Sequence, residues 1–344
     1  MKNFRTQNGG RNATALDRTN LISSQTFSEQ ANSPSLSFPA RLNRWRRRNA
    51  TLLLMALPAV LLLFVFAYLP MIGIVVAFKD YRAAKGIFDS DWIGFKNFEF
   101  LFGSGDALKI IFNTLFLNAL FIVTMTIAAL GIAILMNEIR EHSKWLTNFY
   151  QSALLLPHFI SYVIVSYFVF AFLNSDNGMV NHVITAAGGE PVSWYTSPQY
   201  WPTILTSVNL WKHAGFNSII YLSGILAINP DYYEAARIDG ANKWQQIKGI
   251  TLPLLTPLVI ITTLLAIGRI FYADFGLFFQ VPRDNSLLYS TTDVIDTYVF
   301  RALRVTGDVG QAAAAGFFQA VVGFLLVLAA NWAVRRVDKE KSLF

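Results

Sequence analysis

Polar and ionisable side chains interrupt two otherwise apolar stretches of this sequence. They are Asn209, Lys212, His213 and Asn217 in the first stretch, which also contains Phe216, and Arg269, Tyr272 and Asp274 in the second. Ionisable groups inside an apolar span are costly, and they usually face a helix-bundle interior or an aqueous path. We therefore interpret these residues as candidates for a solute pathway. In an alternative interpretation, Lys212 and Arg269 extend towards the outer interface, or Arg269 pairs with Asp274 or with a partner subunit.

The sequence lacks the residue patterns of the common catalytic and cofactor sites. It has no cysteine, which excludes disulfides, thiolate metal sites and cysteine nucleophiles. His158, His182 and His213 lack metal-ligand spacing, and no Ser/His/Asp arrangement indicates hydrolysis. Neither a G-x-x-x-x-G-K-[ST] phosphate loop nor a G-x-G-x-x-G turn between strand and helix occurs. We expect no catalytic residue, no metal and no nucleotide cofactor on this chain.

The elements that must position the polar residues are apolar segments long enough to cross a bilayer. The 344 residues are 54% hydrophobic and 14% charged, which indicates a chain that needs lipid. Each segment can cross a hydrocarbon layer of ~30 Å. The predicted spans are about 51–77, 111–137, 150–173, 203–228, 252–279 and 310–334. We expect an all-α polytopic membrane protein with six transmembrane helices.

The two ends of the chain and its basic residues predict the topology. Residues 1–40 are rich in Ser, Asn, Thr, Gln and Gly, so we expect a disordered tail before a membrane domain over 41–344. Lys and Arg are in excess on the side of the N-terminus, which places both termini in the cytoplasm. The basic residues flank apolar segments and form no single face, so nucleic acid is not a predicted partner.

The loop over residues 229–249, between the fourth and fifth spans, carries the signals of a short helix. Asn229 is an N-cap candidate, Pro230 suits the first helical position, and Gly240 can end the helix. Asp231 and Glu234 lie in the first turns, where acidic groups suit the helix dipole. Capped helices are common in loops, so these signals alone leave the function open.

The residues of this loop follow a more specific pattern. Glu234-Ala235-Ala236, three residues, Gly240, nine residues and Ile250-Thr251-Leu252-Pro253 resemble the EAA loop of permeases from binding-protein-dependent importers. The variant from Glu234 to Ala241 resembles the carbohydrate branch in particular. The stretches at 86–98, 156–161 and 310–334 are similar to the polysaccharide and multiple-sugar permeases of the LplB type. The resemblance implies the type I permease fold of ABC importers, with a cytoplasmic coupling helix.

The resemblance also implies roles for particular residues. In that family the loop is a coupling helix that sits in a cleft of the ATPase subunit. The coupling residues carried over are Glu234, Ala235, Ala236, Asp239, Gly240, Leu252 and Pro253. Asn209-Leu210-Trp211 is similar to the segment that lines the sugar site in maltose-type permeases. By position, Asn209, Lys212, His213 and Phe216 would face a cavity, where amides, cations and an aromatic face suit hydroxylated or acidic sugars.

The predicted function is thus a permease subunit of a bacterial ATP-driven importer for oligosaccharides in the cytoplasmic membrane. The implied partners are a second homologous permease, an ATPase dimer that binds ATP and Mg²⁺, an extracytoplasmic solute-binding protein, a sugar or oligosaccharide, and membrane lipid. The alternative is a carrier driven by an ion gradient, with Asp274, Arg269 and Lys212 as its coupling charges. A membrane-embedded enzyme is a third class, but no constellation of residues supports it.

Overall fold

The computed structural model describes residues 50–103 and 105–337. The predicted tail over 1–40 and the basic cluster that follows it lie outside these residues. The described chain is helical, apart from one antiparallel pair in which β1 (Lys79–Asp80) aligns with β2 (Asp91–Trp92). The chain is divided into two compact units, and the boundary between them follows Met71.

The first apolar segment is continuous but changes its helical winding. Helix α1 (Ala50–Leu63) continues as a π-helical turn over Phe64–Tyr68 and as 3₁₀-helix over Leu69–Phe78. The apolar side chains between Leu52 and Met71 are exposed. A fully apolar helix with an exposed surface is suited to lipid, because all its backbone groups are paired within the segment.

The second unit contains thirteen α-helices within its described residues. They are α2 (Gly86–Asp89), α3 (Glu99–Gly103), α4 (Gly105–His142), α5 (Lys144–Phe159), α6 (Tyr162–Leu173), α7 (Met179–Ala186), α8 (Trp201–Leu226), α9 (Asp231–Ile238), α10 (Lys243–Gln246), α11 (Leu252–Ile267), α12 (Tyr289–Thr292), α13 (Ile295–Arg301) and α14 (Val309–Val337). Short π-helical turns at Ile247–Thr251 and Ala302–Thr306 adjoin α11 and α13, and a third lies between these helices at Gly276–Gln280.

Among the described residues, four helical segments are long and apolar enough to cross a membrane. They are Ala50–Phe78, Gly105–His142, Lys243–Ile267 and Val309–Arg336, and the bent pair of α5 and α6 makes a fifth if it counts as one span. Helix α8 covers most of the predicted fourth span, but its polar residues lower its hydropathy. The prediction of six spans therefore stays a prediction.

The third and fifth predicted spans are not continuous helices in the structure. A bend of 96° separates α5 from α6, where Ile160 is extended and Ser161 caps α6. Helix α11 ends at Ile267, twelve residues before the predicted end at Phe279. Apolar composition predicts where a chain crosses the hydrocarbon layer, but it does not predict breaks that distant polar side chains stabilise.

Helices α4, α5 and α8 pack closely because small residues line their contacts. Ala129 and Ala133 on α4 are fully buried in a cluster with Leu222 of α8 and Leu255 of α11. On α8, a Cβ at Gly215 would lie 2.1 Å from the backbone oxygen of Leu154, so only glycine permits this approach. Small residues are the usual contact of helices in membranes, since they let backbones meet.

Candidate functional site

A cavity of about 700 Å³ lies between α4, α8 and the segment that follows α11. Its walls combine apolar side chains with polar groups from α4, α8, α11 and the segment after α11. The polar lining residues are Asn118, Thr126, Asn209, His213, Asn217, Tyr221, Thr262, Arg269, Tyr272 and Asp274. Such a mixture of amides, one guanidinium, one carboxylate and aromatic rings can bind a hydroxylated solute.

The structure brings most of the predicted pathway residues together. Asn209, His213 and Asn217 lie on α8, and they face the cavity together with Arg269, Tyr272 and Asp274. These two groups are separated by about fifty residues in the sequence. Lys212 and Phe216, which were predicted to face the same cavity, do not line it.

Lys212 instead stabilises the bend between α5 and α6. Its side chain is buried, at 5% exposure, and its ammonium donates to the carbonyl oxygens of Pro157 at 3.3 Å and of His158 at 2.9 Å. A third bond goes to the oxygen of Ile160. Carbonyls at the end of a helix lack intrahelical partners, and a cation there also suits the helix dipole. The predicted solute contact of Lys212 is therefore replaced by a structural role.

Two aromatic groups hold the imidazole of His213 at the cavity wall. One ring nitrogen lies 3.0 Å from a ring nitrogen of His158, and the other lies 3.0 Å from the hydroxyl of Tyr162. Phe216 stacks on His158 with ring centroids 4.4 Å apart, so it stabilises the ring that contacts His213. The bend between α5 and α6 thus determines where His213 points.

The segment after α11 is irregular and carries charge into the cavity. Asp274 accepts from the backbone N–H of Gly276 at 3.0 Å and of Leu277 at 3.4 Å. Arg269 is exposed to the cavity and forms no ion pair with any residue of the described ranges, so the pairing with Asp274 that the sequence left open is not observed. The guanidinium is therefore free to bind an anion.

A half-buried carboxylate that the sequence analysis missed holds this irregular segment in place. Asp296 of α13 accepts from the backbone N–H of Ala273 at 2.8 Å and from the amide of Gln319 at 3.2 Å. Burial raises the pKa of Asp296 above its usual value. Because the contact joins residues 23 apart in different elements, no local sequence signal indicates it.

The predicted coupling helix is present as α9 and has regular caps. Asn229 accepts from the backbone N–H of Asp231 at 3.1 Å, as the sequence indicates. At the other end, Gly240 has φ of 81°, and the N–H of Ala241 donates to the oxygen of Ala236 at 2.9 Å. This is a Schellman arrangement, in which a left-handed residue ends the helix.

The coupling helix is exposed on one side and contacts the rest of the unit on the other. Glu234, Ala235, Asp239 and Gly240 are exposed, and Ala236 is partly buried.

The coupling loop makes polar contacts with α4 and with the start of α11. The ammonium of Lys243 contacts Glu141 and lies 3.0 Å from Glu138, both at the end of α4. Arg237 lies 3.8 Å from Glu141, and the hydroxyls of Tyr233 and Thr251 are 2.9 Å apart. The predicted coupling residues Leu252 and Pro253 follow Thr251 at the first positions of α11.

A helical membrane chain with a polar cavity and an exposed, rigidly capped helix has the features of a transporter permease. The family model described as "Binding-protein-dependent transport system inner membrane component" matches residues 127–341. The Protein LplB of Bacillus subtilis (strain 168) is 32% identical over 296 residues, which cover 86% of this chain and 91% of that protein. The polygalacturonan/rhamnogalacturonan transport system permease protein YteP of the same organism is 34% identical, over 84% of this chain and 89% of that protein.

A solved structure is similar in both fold and sequence. It is a chain of a bacterial ABC transporter involved in the import of the acidic polysaccharide alginate, with a TM-score of 0.78 and 37% identity. The match covers 87% of this chain and 99% of that chain. The present chain belongs to the family of inner membrane components of binding-protein-dependent transport systems. The predicted family, helical permease fold and importer function are confirmed.

Proposed function

We propose that this chain forms one half of the translocation pathway of an ATP-driven importer for oligosaccharides. The observation that carries the proposal is the convergence of α8 and the segment after α11 on one polar cavity. A homologous permease subunit would supply the other half. One relative is named for transport of polygalacturonan and rhamnogalacturonan, and the similar solved structure belongs to an importer of the acidic polysaccharide alginate.

The proposed solute is an acidic oligosaccharide. Arg269 presents a guanidinium that pairs with no carboxylate of residues 50–103 or 105–337, and guanidinium groups bind carboxylates in a bidentate manner. Asn209 and Asn217 offer amide donors and acceptors that suit sugar hydroxyls, and Tyr272 offers a half-exposed ring for a sugar face. Lys212 takes no part, because its ammonium is occupied by three backbone carbonyls.

The proposed coupling to ATP runs through α9. Its exposed face, with Glu234, Ala235, Asp239 and Gly240, would bind a separate ATPase subunit that holds ATP and Mg²⁺. Closure of the ATPase dimer would push on α9, and the ion pairs of Lys243 would pass the movement to α4. Since α4 also lines the cavity, a movement at the loop would change the cavity.

The proposed topology places both termini in the cytoplasm and residues 280–308, here called the outer loop, on the extracytoplasmic side. There a solute-binding protein would deliver the sugar. The similar alginate transporter has been solved in complex with a periplasmic protein that holds an alginate pentasaccharide, which supports a receptor of this kind.

Reconstituted vesicles test this function. The complete complex of both permeases and the ATPase should import an acidic oligosaccharide only with ATP inside the vesicles and loaded receptor outside. Transport by this chain alone, driven by a proton or sodium gradient, would overturn the proposal in favour of an autonomous carrier.

A further inference from the structure

The cavity segment after α11 depends on contacts from outside itself. Residues 268–275 form turns rather than a regular helix, yet they carry Arg269, Tyr272 and Asp274. Backbone groups buried without partners cost free energy, so such a segment persists only where other elements satisfy it. Two neighbouring helices satisfy these backbone groups.

Asp296 and Gln319 supply these contacts from two different helices. One carboxylate oxygen of Asp296 accepts from the N–H of Ala273, between the two cavity residues Tyr272 and Asp274. The amide of Gln319, on α14, donates to the oxygen of Phe271 at 2.7 Å and to the same carboxylate. Gln319 is 4% exposed, so these bonds form away from bulk water. Helices α13 and α14 thus fix the path of the cavity backbone.

The other end of α13 is fixed to the outer loop. The guanidinium of Arg301 pairs with Asp293, whose other oxygen accepts from the hydroxyl of Thr297 at 2.7 Å. Arg301 also lies 3.3 Å from Asp284, and its guanidinium stacks 4.2 Å from the ring centroid of Tyr289. Helix α13 spans only seven residues, about 10 Å at 1.5 Å per residue, and both of its ends are bound. Helix α13 lies within the outer loop, and a displacement of residues 284–293 would be passed to it through these contacts.

We propose that Asp296 is a positioning residue that transmits movements of the outer loop to the cavity wall at Tyr272 and Asp274. This inference rests on the proposed function, in which a loaded receptor docks on the extracytoplasmic side. Asp296 does not contact the solute. It connects the face that meets the receptor with the wall that meets the sugar, so receptor docking and solute release into the cavity become linked.

A single introduced cysteine can report on the cavity wall, because the chain has none of its own. Tyr272→Cys is made in the complete complex, with cysteine-free partner subunits, in vesicles. The labelling rate of Cys at this position by a small maleimide is measured with and without saturating loaded receptor. The parent should show a change of ~5-fold or more, the usual lower range of allosteric coupling. In an Asp296→Ala background the change should fall below ~2-fold.

Two further variants distinguish transmission from general damage. Asp296→Asn keeps an oxygen that can accept both bonds, so it should retain the receptor response. Asp106→Ala removes a carboxylate that is 88% exposed, and it should also retain the response. If Asp296→Ala does not accumulate in the membrane, Asp296→Leu removes the same acceptor but fills the volume of the carboxylate, and it should abolish the response.

The outcomes separate this inference from the function on which it rests. A receptor response in the parent that persists in Asp296→Ala, or in Asp296→Leu, at normal abundance would overturn the role of Asp296 but leave the proposed function standing. A parent complex without any response to loaded receptor would overturn the proposed function, and this inference with it.

Discussion

The ammonium of Lys243 lies 3.0 Å from the carboxylate of Glu138, and this contact joins the coupling loop to the end of α4. Glu141 contacts the same ammonium and also lies near Arg237 of α9. Helix α4 runs from this cluster to the cavity, where Asn118 and Phe121 line the wall. The loop and the cavity therefore share one continuous helix.

Removal of this charge should weaken coupling without preventing assembly. In Lys243→Met, we expect transport per ATP hydrolysed to fall about 2- to 5-fold, since exposed ion pairs contribute on the order of 0.2 to 1 kcal/mol each. Transport and ATPase rates are measured on the same vesicles. Lys248→Met is the control, because Lys248 is exposed in the same loop and has no ion pair with the described residues. Equal losses in both variants would argue against the cluster.

The left-handed conformation of Gly240 gives a second test of the coupling loop. A Cβ at this position would meet no heavy atom within 4 Å, so a substitution there acts through the backbone alone. Gly240→Val should leave the protein in the membrane but abolish most receptor-stimulated ATPase activity, since a left-handed residue with a Cβ costs roughly 1 to 2 kcal/mol. Gly240→Asn is the matched control, because asparagine tolerates this conformation. Stimulated activity in the valine variant at normal abundance would contradict the assigned role.

The coupling loop could be predicted from the sequence because its structure is local. Asn229 and Gly240 cap a helix of eight residues through bonds to near neighbours, and such patterns can be read along the chain. The bend between α5 and α6 is different, because it depends on Lys212, which lies more than fifty residues further along the chain. The contact between Asp296 and Ala273 likewise joins residues that are distant in the sequence, so no local pattern predicts it.

The misplacement of Lys212 has a physical explanation. A lysine inside an apolar span can face an aqueous cavity or bind unpaired backbone oxygens, and sequence alone does not distinguish the two. Pro157, in the last turn of α5, lies beside the carbonyls that Lys212 binds. The proline and the lysine together indicate a broken span, but only when the two helices are known to touch.

This role of Lys212 predicts a loss of stability that does not depend on the solute. In Lys212→Met, each carbonyl left without a partner should cost about 1 to 3 kcal/mol, so membrane abundance and thermal stability should fall. Transport of neutral and acidic sugars, normalised to abundance, should fall to the same extent. Lys109→Met is the control, because Lys109 is exposed and pairs only with exposed Asp106. If transport of acidic sugars fell selectively, Lys212 would instead be a residue of the solute pathway.

Arg269 should instead discriminate between solutes by their charge. Arg269→Gln keeps hydrogen-bonding capacity but removes the cation that would pair with a sugar carboxylate. Transport of an acidic oligosaccharide should fall roughly 10-fold or more, the value of a bond to a charged group, whereas a neutral one should lose at most ~1 kcal/mol of binding. Rates are measured in vesicles with saturated receptor, so that translocation is separated from capture. Arg335→Gln removes an exposed arginine near the end of α14, outside both the cavity lining and the outer loop, and should leave both rates unchanged. Comparable losses for both solutes in Arg269→Gln would exclude a carboxylate contact, and the cavity would then recognise its solute through the amides and rings alone.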